Sequence, residues 1–217
     1  MSERRRPNSQ GNQEAGPSRE TVRLEKILSG GQTGVDRAAL DVAMALNIPC
    51  GGWCPRGRRA EDGRIPDRYP LQETARPSYS SRTIQNVIDS DGTLILALGR
   101  LTGGTLLTKN TAHSRRKSWL FVDLHGSPDV TVVQNWLGGN EIRVLNVAGP
   151  RASQAPGIYS LATSFLLRLL SHSLRPPSCS TDSAPGRTRH AKGEASRQTP
   201  RSPHSTKKSK ASLRRAR

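Results

Sequence analysis

Residues 92–98, GTLILAL, are apolar from end to end and bounded by glycines. A surface helix needs a polar face, and a strand with one wet face alternates. A short unbroken apolar run therefore reads as a strand buried on both faces, the mark of a parallel sheet covered by helices. The flanking segments fit that frame. Residues 24–29, LEKILS, read as a short strand, and 36–46 as a helix with Ala39, Val42, Ala43 and Leu46 on one face, stopped by Asn47 and Pro49. Residues 50–54, CGGWC, are a second strand weakened by glycines. Helices are expected over 81–90, 105–112, 129–137 (with Pro128 near its start) and 158–170, and strands over 119–124 and 142–148. Strands alternating with helices predict an α/β chain, a doubly wound parallel sheet of about five strands with helices on both faces. Such sheets bind ligands outside the carboxyl ends of their strands, where the strand order reverses.

The charge is unevenly placed. The 217 residues carry a formal net charge of +17. Residues 171–217 hold 12 Lys/Arg against 2 Asp/Glu, residues 1–26 hold 6 against 4, and 27–170 hold 16 against 11. The middle is an ordinary globular composition, long enough to bury a core alone. The flanks have little to bury, so hydrophobic gain does not offset their ordering entropy. The expected organisation is a disordered segment over 1–22, one ligand-binding domain over 23–171, and a disordered basic Ser/Pro/Arg tail over 172–217. Such a tail suits non-specific contact with nucleic acid or another acidic partner. It lacks aromatic residues for base stacking.

No stretch of 18 apolar residues is present, so no membrane span is expected. The start of the chain has basic residues but no apolar core of a secretory signal. Cys50 and Cys54 are spaced C-x3-C with no pairing histidine, and Cys179 lies in the tail. That is not a zinc spacing, so no metal site is expected, and a reducing, cytoplasmic compartment fits.

Two glycine-rich turns each follow a strand and open a helix. The first is Gly30-Gly31-Gln32-Thr33-Gly34 and the second Gly99-Arg100-Leu101-Thr102-Gly103-Gly104-Thr105. Glycines let a ligand approach the backbone, and unpaired amides at a helix start suit a phosphate. Thr33 and Asp36 are also spaced as a capping box, an alternative role for Asp36. Neither turn is a P-loop or a G-x-G-x-x-G dinucleotide motif. If the first and third strands are neighbours, the two turns face one another and hold one small phosphorylated ligand.

Residues 55–78 read as a long polar loop with Arg56, Arg58, Arg59, Arg64 and Arg68. Its arginines either cover an anionic ligand or form internal ion pairs on a solvated surface. On the next helix Arg82, Asn86 and Asp89 share a polar face, which is either a wet surface or a pocket wall.

The stretches SGGQTGVDRAALDVA, GGWCPRGRRAEDGRIPDRYPLQET, SSRTIQNVIDSDGTLIL, LTGGTLLT and LNVAGPRASQAPGIY occur in that order. Over about residues 26–170 the chain closely resembles the family of putative molybdenum carrier proteins. These are a branch of the SLOG superfamily that includes LOG-type and YpsA-related proteins. The resemblance implies a Rossmann-like domain that binds molybdenum cofactor (molybdopterin), a phosphorylated pterin dithiolene, or a nucleotide-like ligand, and that assembles into a homo-oligomer. The matching ligand-binding positions are Gly30, Gly31, Thr33, Gly34, Asp36, Arg37, Arg82, Asn86, Asp91, Gly103, Gly104 and Thr105. The superfamily also includes enzymes that cleave N-glycosidic bonds of nucleotides, with a catalytic glutamate after the glycine turn. Here Thr105 is followed by Leu106 and Leu107, which lowers that reading. A non-catalytic carrier is therefore expected. The alternatives are a nucleotide sensor or a phosphoribohydrolase-like enzyme using Asp36, Glu61 or Asp91 as acid or base.

Overall fold

The computed structural model describes residues 24–173. The expectations for residues 1–22 and for the basic tail lie outside the described residues, apart from the end of the last helix. The strands are β1 (Lys26–Leu28), β2 (Cys50–Gly51), β3 (Trp53–Cys54), β4 (Arg59–Ala60), β5 (Gly63–Arg64), β6 (Gln72–Glu73), β7 (Gly92–Ala97), β8 (Ser118–Asp123) and β9 (Val144–Ala148). The helices are α1 (Val35–Ala45), α2 (Tyr79–Ile88), α3 (Gly103–Ser114), α4 (Val130–Gly139) and α5 (Ile158–Ser173). Among the described residues no helix is long and apolar enough to cross a membrane.

Five strands form one parallel sheet in the order β2-β1-β9-β7-β8. All six residues of β7 are buried, as an unbroken apolar run requires. Alternation along the strands divides the two faces. Leu94 and Leu96 of β7 and Leu145 and Val147 of β9 share a core with Ala38, Ala39 and Val42 of α1 and Phe165, Leu166 and Leu169 of α5. Thr93 and Asn146 point the other way and meet each other, the Asn146 amide donating to the Thr93 hydroxyl at 3.2 Å. That second face is covered by α2 and α3. The small residues of α1 allow its close contact with α5. Ser78 caps α2 through the Ser80 amide at 3.2 Å, and Asp129 caps α4 through the Thr131 amide at 2.9 Å.

The first and third apolar strands, β1 and β7, are not neighbours. The last strand, β9, lies between them and pairs with both. If β9 is counted first, the order becomes 3-2-1-4-5, the doubly wound Rossmann arrangement without its sixth strand. The order reverses between β9 and β7, the place where sheets of this kind form a crevice.

The segment 50–54 is not one strand. Gly52, at φ 128, breaks it, so that Cys50–Gly51 joins the main sheet and Trp53–Cys54 pairs with β6 instead. Nor is the stretch 55–78 a structureless loop. It carries the β4-β5 hairpin and β6, and it buries its own small core of Cys54, Ile65, Tyr69 and Leu71 against Leu40 of α1. At its centre the Arg58 guanidinium donates to the carbonyls of Ile65, Leu71, Pro66 and Tyr69 at 2.9–3.1 Å. Asp41 of α1 accepts from the Tyr69 and Tyr159 hydroxyls, both at 2.9 Å, tying this excursion to α1 and α5.

Candidate anion-binding site

Every helix of a parallel sheet that follows its strand starts at the carboxyl edge, so partial positive charge gathers there. A cleft of about 380 Å³ opens at that edge, over the end of β9. Its walls are the start of α2 (Tyr79, Ser80, Arg82, Thr83), the start of α3 (Gly103, Gly104, Thr105, Leu107, Thr108) and the turn after β9 (Gly149, Arg151, Gln154). Gln32 and Asp36 form part of its floor.

The start of α3 leaves several hydrogen-bond donors unpaired among the described residues. Its N-cap, Thr102, makes no side-chain capping bond. The amides of Gly103 and Gly104 have no hydrogen-bond partner among the described residues, and the space beside Gly104 is open to 4 Å. Thr105 lines the cleft although it is only 6% exposed, and its hydroxyl has no hydrogen-bond partner among the described residues. Thr108 is satisfied locally, donating to the Gly104 carbonyl at 2.9 Å.

Two guanidinium groups, Arg82 and Arg151, line the cleft, the first paired with Asp36 and the second with Glu61. Asp36 is 2% exposed and pairs with Arg82 at 2.8 Å. Burial pushes its carboxyl above the usual aspartate range, against the pull of Arg82 and of hydrogen bonds from the Gln32 amide and Ser29. The Arg82 guanidinium lies directly over Gly30, where any Cβ would collide with it. Its Nε is buried with no acceptor. The alternative role for Asp36, a capping box with Thr33, is not realised. The N-cap of α1 is Gly34, and Asp36 turns back to accept from the Gln32 amide at 3.3 Å.

Of the twelve residues singled out from the sequence, Asp36, Arg82, Gly103, Gly104 and Thr105 line this cleft. Gly30 sits beneath Arg82. Gly31 packs against Ile65 and Leu71, and Gly34 against the Pro150 carbonyl. Thr33 donates to Glu61 and accepts from the Ala152 amide at 3.1 Å. Arg37 makes a two-pronged pair with Asp62 at 2.5 and 2.8 Å. Asn86 is buried, accepting from the Trp53 amide at 2.8 Å and donating to its carbonyl at 3.1 Å. Asp91 stands at the opposite edge of the sheet, where it accepts from the Arg143 and Val144 amides at 3.0 and 2.7 Å. Asp89 accepts from the Trp53 indole at 2.6 Å.

No arginine of the 55–78 excursion lines the cleft, so the expected arginine cover is absent. Arg58 is taken up by four carbonyls, Arg64 by Asp67, and Arg68 by Tyr69 and Asp41. The turn after β9 contributes Gly149, Arg151 and Gln154, which sequence reasoning missed. The signal was a third glycine directly after an apolar strand, in Ala148-Gly149-Pro150.

Glu61 holds the walls in register. It accepts from the Thr33 and Ser153 hydroxyls and from the Ser153 amide at 3.1 Å, and it pairs with Arg151 at 3.4 Å. Desolvation pushes its carboxyl up, but the bonds from Ser153 and Thr33 outweigh this and hold it below the ordinary glutamate range. A depressed folded value means the contribution is complete above the unfolded pKa and is lost as pH falls through the folded one. Asp36 acts in the opposite sense, since the native state takes up its proton first. Thermal melts between about pH 5 and pH 3 are expected to show a steeper loss of stability in the native protein than in Glu61→Gln. Identical acid limbs would show that Glu61 does not bind the walls together.

Among the described residues no group of three or more His, Cys, Asp or Glu is assembled that could hold a metal ion. A family model described as "Circularly permutated YpsA SLOG family" matches residues 27–170. A solved structure from Syntrophus aciditrophicus SB, described as a "Putative molybdenum carrier protein", is 47% identical. That likeness covers 70% of this chain and 98% of the other, with a TM-score of 0.67. None of the curated proteins compared matches.

Proposed function

The chain belongs to the circularly permutated YpsA SLOG family, and on that premise we propose that it is a carrier whose cleft holds a phosphorylated pterin, the molybdenum cofactor. The permutation is visible in the sheet, where the last strand takes the place of a first. The observation that carries the reading is the bare start of α3. Two unpartnered amides and the free Thr105 hydroxyl face a cleft that also holds Arg82 and Arg151. Backbone amides, a hydroxyl and guanidinium groups are the donors that suit a phosphate.

The same donors do not suit a bare metal cation. When bound, the cofactor supplies molybdenum on its own sulfur atoms. The protein's residues then have only to hold the phosphate, exclude water and orient the ring. Ser80 and Gln154 line the cleft and would meet polar ring edges.

A hydrolytic reading is less well supported by the geometry. General acid–base work needs a carboxyl within hydrogen-bond reach of the reacting group. Asp36 is buried and paired, Glu61 is bound by its four donors, and Asp91 is at the far edge of the sheet. A nucleotide phosphate would meet the same donors as the pterin phosphate, so a nucleotide sensor is the second reading.

The test is to identify, by mass spectrometry and molybdenum analysis, what the purified protein carries. Thermal shifts with molybdopterin, molybdate and nucleoside monophosphates complete it. A ligand at a hundredfold excess over its Kd stabilises the fold by about 2.7 kcal/mol. Stabilisation by molybdopterin is expected. No shift with any of the three overturns the carrier reading.

A further inference from the structure

The cleft does not end at α3. A neck of about 60 Å³ shares Thr105 and Gln154 with it. The neck in turn shares Arg100 and Leu101 with a groove of about 460 Å³ on the far side of the helix start. The groove is walled by Trp119 and Phe121 of β8 and by Leu106 of α3. Trp119 and Phe121 are two apart on an edge strand, so both rings lie on one face, and both are half-buried. The Lys109 ammonium stands 5.1 Å from the centre of the Trp119 ring. Neither Lys109 nor Arg100 has a carboxylate partner among the described residues, and no acidic residue lines the groove.

The start of α3 therefore stands between two cavities, with Gly103 and Gly104 on the cleft side and Thr102 and Thr105 lining the neck. We propose that the groove is a second ring subsite, and that the site takes a ligand with a planar ring on each side of a phosphate bridge. The inference rests on the anion-binding reading of the cleft. One ring would occupy the cleft, the bridge would lie at the start of α3, and the second ring would stack on the aromatic wall, taking the place over Trp119 that the Lys109 ammonium now holds. Spacing agrees with this. Six residues separate Gly103 from Lys109, which is about 9 Å along a helix, the reach from a phosphate to the far side of a heterocycle. Charge agrees as well. Arg100 and Lys109 complement an anionic bridge and the carbonyl edges of a base, and flat apolar rings suit stacking. Continuity with the cleft favours a small ligand here over a partner protein or a second copy of the chain.

The test compares AMP, which has one ring, with diadenosine diphosphate, which has two rings on a pyrophosphate. Calorimetric titration of the full chain gives both Kd values. Diadenosine diphosphate is expected to bind about tenfold more tightly than AMP, the usual worth of one stacked base. Trp119→Ala is expected to bring that ratio to about one. Leu106→Asp is a second variant with the same expected result, and Leu106 is already 39% exposed, so the fold tolerates it. A ratio of one in the native protein, with AMP and inorganic phosphate still binding, overturns the second subsite and leaves the cleft reading standing. A dimer that Leu106→Asp dissociates, with no change in the ratio, also overturns it. If neither nucleotide binds, the second subsite is overturned, and if molybdopterin also fails to bind, the cleft reading falls with it.

Discussion

Arg58→Ala is expected to unfold the 55–74 excursion and to lower stability by about 3–5 kcal/mol. The guanidinium is 9% exposed and donates to four backbone carbonyls of its own segment. Truncation leaves those acceptors without donors in a dry interior. Each buried group so stranded costs about 1–3 kcal/mol. The apolar core of the excursion is only Cys54, Ile65, Tyr69, Leu71 and Leu40, too little to hold the segment shut without the arginine. Hydrogen exchange should show amides such as Ile65, Tyr69 and Thr74 losing protection while those of β7 and β9 keep theirs. Arg58→Lys is expected to recover little, because an ammonium has three donors and cannot span the fork. Full protection in Arg58→Ala would mean that the small apolar core alone specifies the excursion.

The second large effect is expected at Gly104. No atom lies within 4 Å of where its Cβ would stand, and its φ is not in the left-handed region, so a side chain fits without strain. Aspartate there is also favourable for the helix, since a carboxylate near a helix start meets the positive end of its dipole. The fold should therefore survive Gly104→Asp with its melting temperature unchanged or slightly raised. Ligand binding should not survive. The new carboxylate would occupy the place of the phosphate and repel it, and the amides of Gly103 and Gly104 would be satisfied from within. A loss of at least about a hundredfold in affinity is expected, since a charge-assisted contact worth about 1.5–3 kcal/mol is replaced by a repulsive one.

Much of the frame is legible in the sequence because it rests on local periodicity. GTLILAL announces a strand with no wet face, and β7 is buried at every position. The helix-face pattern of residues 158–170 marks α5, whose Ile158, Ala162, Phe165, Leu166 and Leu169 are in the core. Strand order is another matter, because it is set by packing between segments far apart in the chain. Nothing local to residues 144–148 says that they insert between β1 and β7, so the reversal of order lies one strand away from where local pattern puts it. The glycines illustrate the same limit. Gly31 and Gly104 look alike in sequence, but Ile65 and Leu71 fill the space beside Gly31 while the space beside Gly104 is open. The arginines do so too, since Arg58 is buried among carbonyls and Arg59, its neighbour, is exposed. Of the polar face of α2, only Arg82 reaches the cleft. Asn86, one turn further on, turns to the Trp53 backbone.

The claim on which the rest depends is that the bare start of α3 grips the phosphate of the ligand. Calorimetric titration of molybdopterin into the native protein and into Gly104→Asp, at matched ionic strength, tests it most directly. The account predicts saturable binding to the native protein and loss of at least about a hundredfold in the variant, with the variant's melt unchanged or slightly raised. Equal affinity in both proteins would contradict it, because the phosphate would then be held elsewhere.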